Sequence, residues 1–214
     1  MIGSDSCAIL QVWEALSFLL ILSTHVSAGE LGPQIPSLTS FTSSDGVFEL
    51  SSTVQIAVDI NYANQGNPSL LDFAKTFRDD LKETVPYVTL APVLLSTPIP
   101  DHASPIPTIY LTLDPSTQFY LYNGRPTEEG YRFQVTHNSY VIAAPAPLGV
   151  WWGTRTLLQQ AAISLAQGAN TVSFSAGQGY DSPGWEVRGF MLDAGRHWFE
   201  TSFLSKVPLS ASIG

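Results

Sequence analysis

The chain has 214 residues, of which 44% are hydrophobic and 13% are charged, so it can bury a substantial core and does not have the composition of a disordered protein. Its 18 acidic and 9 basic residues give a formal net charge of −9, and no cluster of lysine and arginine forms the basic stripe that phosphate binding requires. The charge balance therefore argues against nucleic acid as a partner and is typical of a soluble protein.

Residues 1–28 have the features of a secretory signal peptide. The apolar run ALSFLLILS, from Ala15 to Ser23, is followed by small residues, and cleavage is expected before Gly29. The run is too short to span a bilayer, so we expect no membrane association after cleavage. The leader contains no Lys or Arg, unlike the usual n-region, and a buried helix is the alternative interpretation. We expect a secreted, extracellular protein.

The only cysteine, Cys7, lies in this leader. The mature chain would therefore contain no disulfide, no thiol nucleophile and no cysteine-based metal site. The histidines are scattered without metal-ligand spacing, and no phosphate-binding glycine loop occurs, so we expect neither a metal nor a cofactor.

The first half of the chain predicts an arm, a strand, a helix and a loop. Residues 29–44 are rich in Pro, Ser and Thr, which predicts an extended entry strand or a loosely held arm before a domain that we place at 45–180. Residues 52–60 alternate apolar and polar side chains, as a half-buried strand does. The capping pair Ser69 and Asp72 precedes Leu70, Phe73, Phe77 and Leu81 on one helical face. Residues 88–107 are broken by proline, which predicts an exposed loop after a few strand residues.

The second half predicts more strands and another helix. Segments 108–114, 130–136 and 140–145 are rich in β-branched and aromatic residues, and a tight connection separates the last two. Residues 149–168 carry an apolar helical stripe and end at Gly168, which suits a C′ position. A strand at 170–176 then leads to a Gly- and Pro-rich boundary at 177–184. This order predicts an α+β fold, an antiparallel sheet with two helices on one face.

The segment from Val187 to Leu192 is apolar except for Arg188, as a strand covered on both faces would be. One interpretation is that Arg188 pairs with a carboxylate, Asp193 or another, and bridges two layers. The other is that its planar N–H donors bind the paired hydroxyls of a sugar, while Trp185 or Trp198 supplies an apolar surface for the ring.

Other charged residues have simpler interpretations. Asp193, Arg196 and His197 fit a capping and salt-bridge cluster at a strand-to-loop transition. The acidic pairs 79–80 and 128–129 place neighbouring side chains in different directions, so we predict that they are solvated charges.

Two blocks of the sequence resemble the fungal branch of glycoside hydrolase family 20, the β-N-acetylhexosaminidases. Residues 130–160, GYRFQVTHNSYVIAAPAPLGVWWGTRTLLQQ, resemble the end of the family's N-terminal α+β domain. Residues 185–204, WEVRGFMLDAGRHWFETSFL, resemble the first strand and turn of its catalytic (β/α)8 barrel. The resemblance implies an N-terminal α+β domain followed, over 185–214, by the truncated start of that barrel with a divergent tail from Lys206.

The resemblance also implies a mechanism. In such enzymes the acetamido oxygen of the substrate is the nucleophile, and an Asp-Glu pair orients the acetamide and protonates the leaving oxygen. The arginine of the RG motif, here Arg188, is implied to bind hydroxyls of the terminal N-acetylhexosamine. By the same resemblance Asp193, Arg196 and His197 shape the barrel rim.

No catalytic residue is expected within these 214 residues. A barrel takes about 250 residues, and the chain after Leu204 contains no acidic side chain. We therefore expect the N-terminal portion of a hexosaminidase that is itself inactive. Its full-length form would act on N-acetylhexosamine-terminated oligosaccharides or glycoconjugates and allows a homodimer. A stand-alone module that binds carbohydrate or another protein without catalysis is the alternative.

Overall fold

The structure is a computed structural model that describes residues 37–97, 106–189, 196 and 198–204. The predicted signal peptide and residues 29–36 of the predicted arm lie outside the described residues. Within the described part of the chain, no helix is both long enough and apolar enough to cross a membrane.

The described residues form strands and helices in an α+β arrangement. The strands are β1 Ser40–Glu49, β2 Thr53–Asp59, β3 Thr89–Leu90, β4 Leu94–Ser96, β5 Thr108–Leu113, β6 Phe119–Tyr120, β7 Pro126–Thr127, β8 Tyr131–Val135, β9 Ser139–Ala144 and β10 Ser173–Asp181. The helices are α1 Leu70–Thr84, α2 Pro147–Ala166 and α3 Thr201–Leu204. Eight strands form one sheet in the order β1-β10-β8-β9-β5-β2-β3, with β4 also paired to β2, while β6 and β7 form a separate two-stranded sheet.

The sheet is mixed, so the prediction of an antiparallel sheet is wrong for half of it. Strands β1, β10, β8 and β9 are antiparallel, whereas β9, β5 and β2 are parallel, as are β3 and β4 beside β2. The crossover through α1 is the physical reason for the parallel pairing of β2 with β3 and β4, because a helix carries the chain back to the start of the neighbouring strand. The parallel pairing of β5 with β9 follows from the longer connection through β6, β7 and β8. The predicted hairpin is confirmed, because β8 and β9 pair antiparallel across a short connection.

Both predicted helices form where their sequence signals place them. The Ser69 hydroxyl accepts a hydrogen bond from the Asp72 backbone N–H, and the Asp72 carboxylate accepts one from the Ser69 backbone N–H, which completes a capping box at the start of α1. Helix α2 begins at Pro147, whose fixed φ suits a first turn, and Gly168 follows its end with a φ of +89°.

The two helices and one face of the sheet enclose a single apolar core. Val54, Ile56 and Val58 of β2 alternate toward this core, and β5, β8 and β9 contribute alternate residues in the same way. The helices pack against each other and against the sheet. The opposite face of the sheet carries the polar and aromatic side chains that alternate along the strands with the core residues.

Strands β1 and β10 extend beyond the strands that the sequence predicts inside the domain. Residues 40–44, for which an entry strand or an arm is predicted, form the first half of β1, as the entry strand does, and β10 continues through the predicted Gly- and Pro-rich boundary as far as Asp181. Gly179 makes this extension possible, since Phe41 and Phe133 from the flanking strands stack 6.0 Å apart and a Cβ at position 179 would lie only 2.7 Å from the Phe133 ring.

The strand predicted at the barrel start stays a prediction, because part of it lies outside the described residues. Residues 187–189 have no strand hydrogen bonding, and Val187 is 88% exposed, whereas residues 190–195 lie outside the described residues. A central strand of a barrel needs a neighbouring strand along each edge and a cover on both faces. The described residues place no strand beside 187–189.

Candidate functional site

Arg188, the predicted sugar ligand, is bound by the chain itself in this structure. Its Nη2 donates to the carboxylate of Glu129, and its Nη1 donates to the backbone oxygen of Trp185 at 2.7 Å. Its guanidinium carbon also lies 5.5 Å from the centroid of the Trp152 ring, within cation–π range. In the structure Arg188 therefore pairs with a carboxylate, which is the first of its two interpretations. Its role in binding substrate stays a prediction.

Glu129 lies in the connection between β7 and β8, and close backbone packing holds this connection against the first turn of α2. The Glu129 backbone N–H donates to the Thr127 hydroxyl at 3.2 Å. A Cβ at Gly149 in the first turn of α2 would lie 2.9 Å from the carbonyl oxygen of Glu128 and would also contact the oxygen of Gly130. Only a glycine lets the loop 128–130 approach the helix this closely, so Gly149 sets the position of Glu129 relative to Trp152.

A second group of contacts fixes the segment 182–188 beside the loop between β6 and β7. The Tyr122 backbone N–H donates to the Gly184 oxygen at 3.0 Å, and the Tyr122 and Trp185 rings meet edge to face at 6.0 Å. Arg125 pairs with Glu186 at 2.5 Å, and both side chains are more than half exposed. The site is thus a junction that joins the domain to the segment with the RG motif.

The structure does not test the roles predicted for the remaining site residues. Arg196 is exposed, while Asp193 and His197 lie outside the described residues. Their predicted structural role at a barrel rim therefore stays a prediction. Among the described residues, no group of three or more His, Cys, Asp or Glu side chains is placed to hold a metal ion.

The prediction that both acidic pairs are solvated is wrong for two of the four carboxylates. Glu129 binds Arg188 as described above, and Asp80 of α1 accepts a hydrogen bond from Arg155 of α2 at 2.6 Å. Only 6% of the Arg155 side chain is exposed, and its guanidinium carbon lies 3.7 Å from the Trp151 ring centroid. Burial lowers the pKa of Arg155, and the bond to Asp80 opposes that shift.

Sequence reasoning missed Arg155 because its partner is on another helix. A signal was nevertheless present: α2 is apolar almost all round, so an arginine within it needs a partner when the helix is buried. The pair ties α1 to α2 through a charge-assisted hydrogen bond.

The pKa of the Asp114 carboxylate is lowered by the residues around it. Ser116 and Thr117 donate hydrogen bonds to it, and Arg132 pairs with it at 2.7 Å. These donors, the hydroxyl of Ser116 first, lower the pKa of Asp114 to about 2. Its charge therefore balances that of Arg132 at neutral pH.

Comparison with known proteins gives one family match over most of the folded domain. Residues 33–176 match the family model of glycosyl hydrolase family 20, domain 2. No curated protein sequence matches the chain.

Solved structures of similar fold include two hexosaminidases and a glucosaminidase. The β-N-acetylhexosaminidase of Streptomyces coelicolor A3(2) is similar with a TM-score of 0.61 and 19% identity, over 86% of this chain and 34% of that one. The exo β-N-acetylglucosaminidase of Vibrio harveyi has a TM-score of 0.54 and 20% identity, over 83% and 23%. The β-N-acetylhexosaminidase of Bacteroides fragilis has a TM-score of 0.55 and 19% identity, over 84% and 30%. The chain thus spans between 23% and 34% of the length of each.

Proposed function

Because the chain belongs to glycosyl hydrolase family 20 through its domain 2, we propose that it is the N-terminal portion of a secreted, fungal-type β-N-acetylhexosaminidase. The full-length enzyme hydrolyses terminal non-reducing N-acetylhexosamine residues of chitin oligomers or glycoconjugates. The observation that carries this proposal is the domain match over 33–176, followed in the chain by the segment from Arg188 to Asp193 that resembles the start of the barrel.

The proposed mechanism is retaining and substrate-assisted. The acetamido oxygen of the substrate attacks the anomeric carbon, and an acid from an Asp-Glu pair protonates the leaving oxygen. Arg188 offers two N–H donors in one plane, which suits two neighbouring hydroxyls of the terminal sugar. The 214 residues alone hydrolyse no substrate under this proposal, since the Asp-Glu pair would lie beyond them in the barrel.

A stand-alone module without catalysis is the second candidate. One observation favours it: residues 37–181 contain a sheet and two helices around their own apolar core. Sequencing the transcript through the codons for Ser205 to Gly214 separates the two. Continuation into a barrel with an Asp-Glu pair supports the enzyme, and a genuine stop supports the module.

Hydrolysis of p-nitrophenyl N-acetyl-β-glucosaminide is the direct test of activity. The full-length product of a continuing transcript is expected to release p-nitrophenol, and the 214-residue chain is expected to release none above the blank. Activity of the 214-residue chain would contradict the proposal that its catalytic groups lie in the barrel.

Arg188→Ala in the full-length enzyme tests the assigned substrate contact. The loss of hydrogen bonds from a charged donor is expected to lower kcat/KM about 10- to 100-fold. Arg125→Ala is the matched control, because Arg125 also fixes the segment 182–188 through Glu186. If Arg188 only fixes the junction, both variants will reduce stability alike and leave kcat/KM within about twofold of the parent.

Secretion and assembly have their own measurements. Amino-terminal sequencing of protein collected from the medium is expected to begin at Gly29, and an intact Met1 on a retained protein would contradict the signal peptide. Light scattering on the full-length enzyme tests the proposed homodimer.

A further inference from the structure

We propose that the sheet face opposite the helices binds a neutral oligosaccharide of N-acetylhexosamine units in a groove of about 870 Å³. This is a binding site separate from the catalytic centre proposed for the barrel. The choice of N-acetylhexosamine rests on the proposed function, whereas the neutral pyranose chemistry follows from the groove itself. Its volume lies in the upper part of the range of known ligand sites.

The floor of the groove is formed by two cross-strand rows of side chains that point away from the core. The first row pairs Thr42, Gln178, Gln134 and Val141, and the second pairs Ser40, Tyr180, Arg132, Ala143 and Thr112. The first row crosses four adjacent strands and the second crosses five, so at a strand spacing of about 4.8 Å the floor is about 19 Å wide at the second row. That width accommodates a linear chain of several sugar rings.

Two glutamines lie at the centre of the first row. Gln134 and Gln178 are direct cross-strand neighbours with exposed side chains, and neither makes a side-chain hydrogen bond to another described residue. Each amide supplies both donors and an acceptor. Acetamido and hydroxyl groups of the sugar need that combination.

Exposed tyrosines stand at the edge of the same groove. Tyr120 is 54% exposed and Tyr180 is 45% exposed, and Phe119 supports Tyr180 with ring centroids 6.5 Å apart. The apolar face of a pyranose packs on such rings. The Tyr120 hydroxyl donates to the Gln118 side-chain oxygen at 2.6 Å and can still accept a hydrogen bond, while the Tyr180 hydroxyl has no hydrogen bond to another described residue. Aromatic rings beside polar amides indicate a ligand site more strongly than isolated apolar residues do.

The groove carries no uncompensated charge. Arg132 is the charged side chain among its lining residues, and its partner Asp114 neutralises it at 2.7 Å. An anionic ligand would therefore find no unpaired cation among the lining residues, and a cationic ligand would find no unpaired carboxylate. A neutral ligand matches this charge balance.

The test is titration of the ¹⁵N-labelled 214-residue chain with tetra-N-acetylchitotetraose, followed by NMR. We expect saturable shifts of the side-chain NH₂ signals of Gln134 and Gln178. Tyr180→Ala is expected to weaken binding about tenfold (about 1.4 kcal/mol), and Tyr180→Phe to retain most of it. Gln134→Ala is expected to weaken binding, whereas the matched control Gln167→Ala, at an exposed position after α2, is expected to leave it unchanged.

Several results would overturn the proposal. Shifts centred on Arg188 would place the ligand elsewhere, and equal binding of cellotetraose would remove the N-acetylhexosamine assignment. Displacement of the sugar by a peptide with the sequence of residues 29–36, which precede the groove residue Thr39, would make the chain's own arm the occupant. The titration needs no hydrolysis, so the enzyme proposal and the groove proposal can fail independently.

Discussion

Replacement of Asp80 by Asn is expected to destabilise the domain more than replacement of its partner Arg155 by Met. Arg155 is 6% exposed and Asp80 is 36% exposed at the side chain. Without the carboxylate charge, the guanidinium stays buried and uncompensated. Without the guanidinium, Asp80 can still be hydrated, and Met fills much of the space beside Trp151.

The magnitude follows from the geometry of the pair. The Nη1–Oδ2 distance is 2.6 Å, and charge centres about 4 Å apart attract by about 4 kcal/mol at an effective dielectric of about 20. Solvent at Asp80 and the desolvation of Arg155 offset roughly half of this, which leaves about 2 kcal/mol for Asp80→Asn. Arg155→Met is expected to cost about 1 kcal/mol, and the double variant no more than Arg155→Met alone.

Urea unfolding followed by far-ultraviolet circular dichroism measures these differences. Asp80→Asn is also expected to lower Tm by about 4 to 8 °C. Asp79→Asn is the matched control, because its carboxylate is 65% exposed beside Arg78 and is expected to change the free energy of unfolding by less than about 0.5 kcal/mol. A larger loss for Arg155→Met than for Asp80→Asn would refute the reasoning, since packing on Trp151 would then outweigh the ion pair.

Three further predictions concern stability and use the same unfolding measurement. Gly149→Ala is expected to lower the free energy of unfolding by about 2 to 3 kcal/mol, because a Cβ there would lie 2.7 Å from the Ala144 Cβ. Gly189→Ala is the control, since a Cβ at Gly189 would meet no atom within 4 Å. Equal losses of stability in the two variants would contradict the close packing at Gly149. Ser69→Ala is expected to cost about 1 kcal/mol by removing the cap of α1, and a loss no larger than that of Ser52→Ala, at an exposed position, would argue against the capping box. Asp114→Asn is expected to cost about 1 to 2 kcal/mol at neutral pH, because the pKa of Asp114 is lowered to about 2 and its stabilisation is complete above about pH 4. That difference should shrink as the pH falls from about 4 towards about 2, and a difference that persists at the low end would contradict the shifted pKa.

The elements that were predicted well have local signals. The cap at Ser69, the glycine after α2 and the β8–β9 hairpin each depend on residues within a few positions of one another. The parallel half of the sheet was predicted wrongly because strand direction depends on which distant strands become neighbours. The sequence of a half-buried strand alternates apolar and polar residues whether its neighbour in the sheet is parallel or antiparallel.

The partners of charged side chains were the other feature that sequence could not supply. Asp80 and Arg155 are 75 positions apart, and Glu129 and Arg188 are 59 apart. A charge on an apolar segment indicates that a partner exists but does not identify it. The same holds for the groove, whose floor residues come from five strands that only the sheet order brings together.

Two groups of exposed apolar side chains in the described chain have different requirements. Tyr120 and Tyr180 lie beside amides and hydroxyls, so a partly polar ligand such as a sugar satisfies them. Val187, 88% exposed, and Phe203, 46% exposed, belong to the segment that follows the domain. Aliphatic and phenyl groups there gain only from an apolar cover, which a folded barrel would provide and a sugar would not. One molecule with both groups is better explained by a domain that binds carbohydrate on its free face and continues into a larger enzyme than by a carbohydrate module alone.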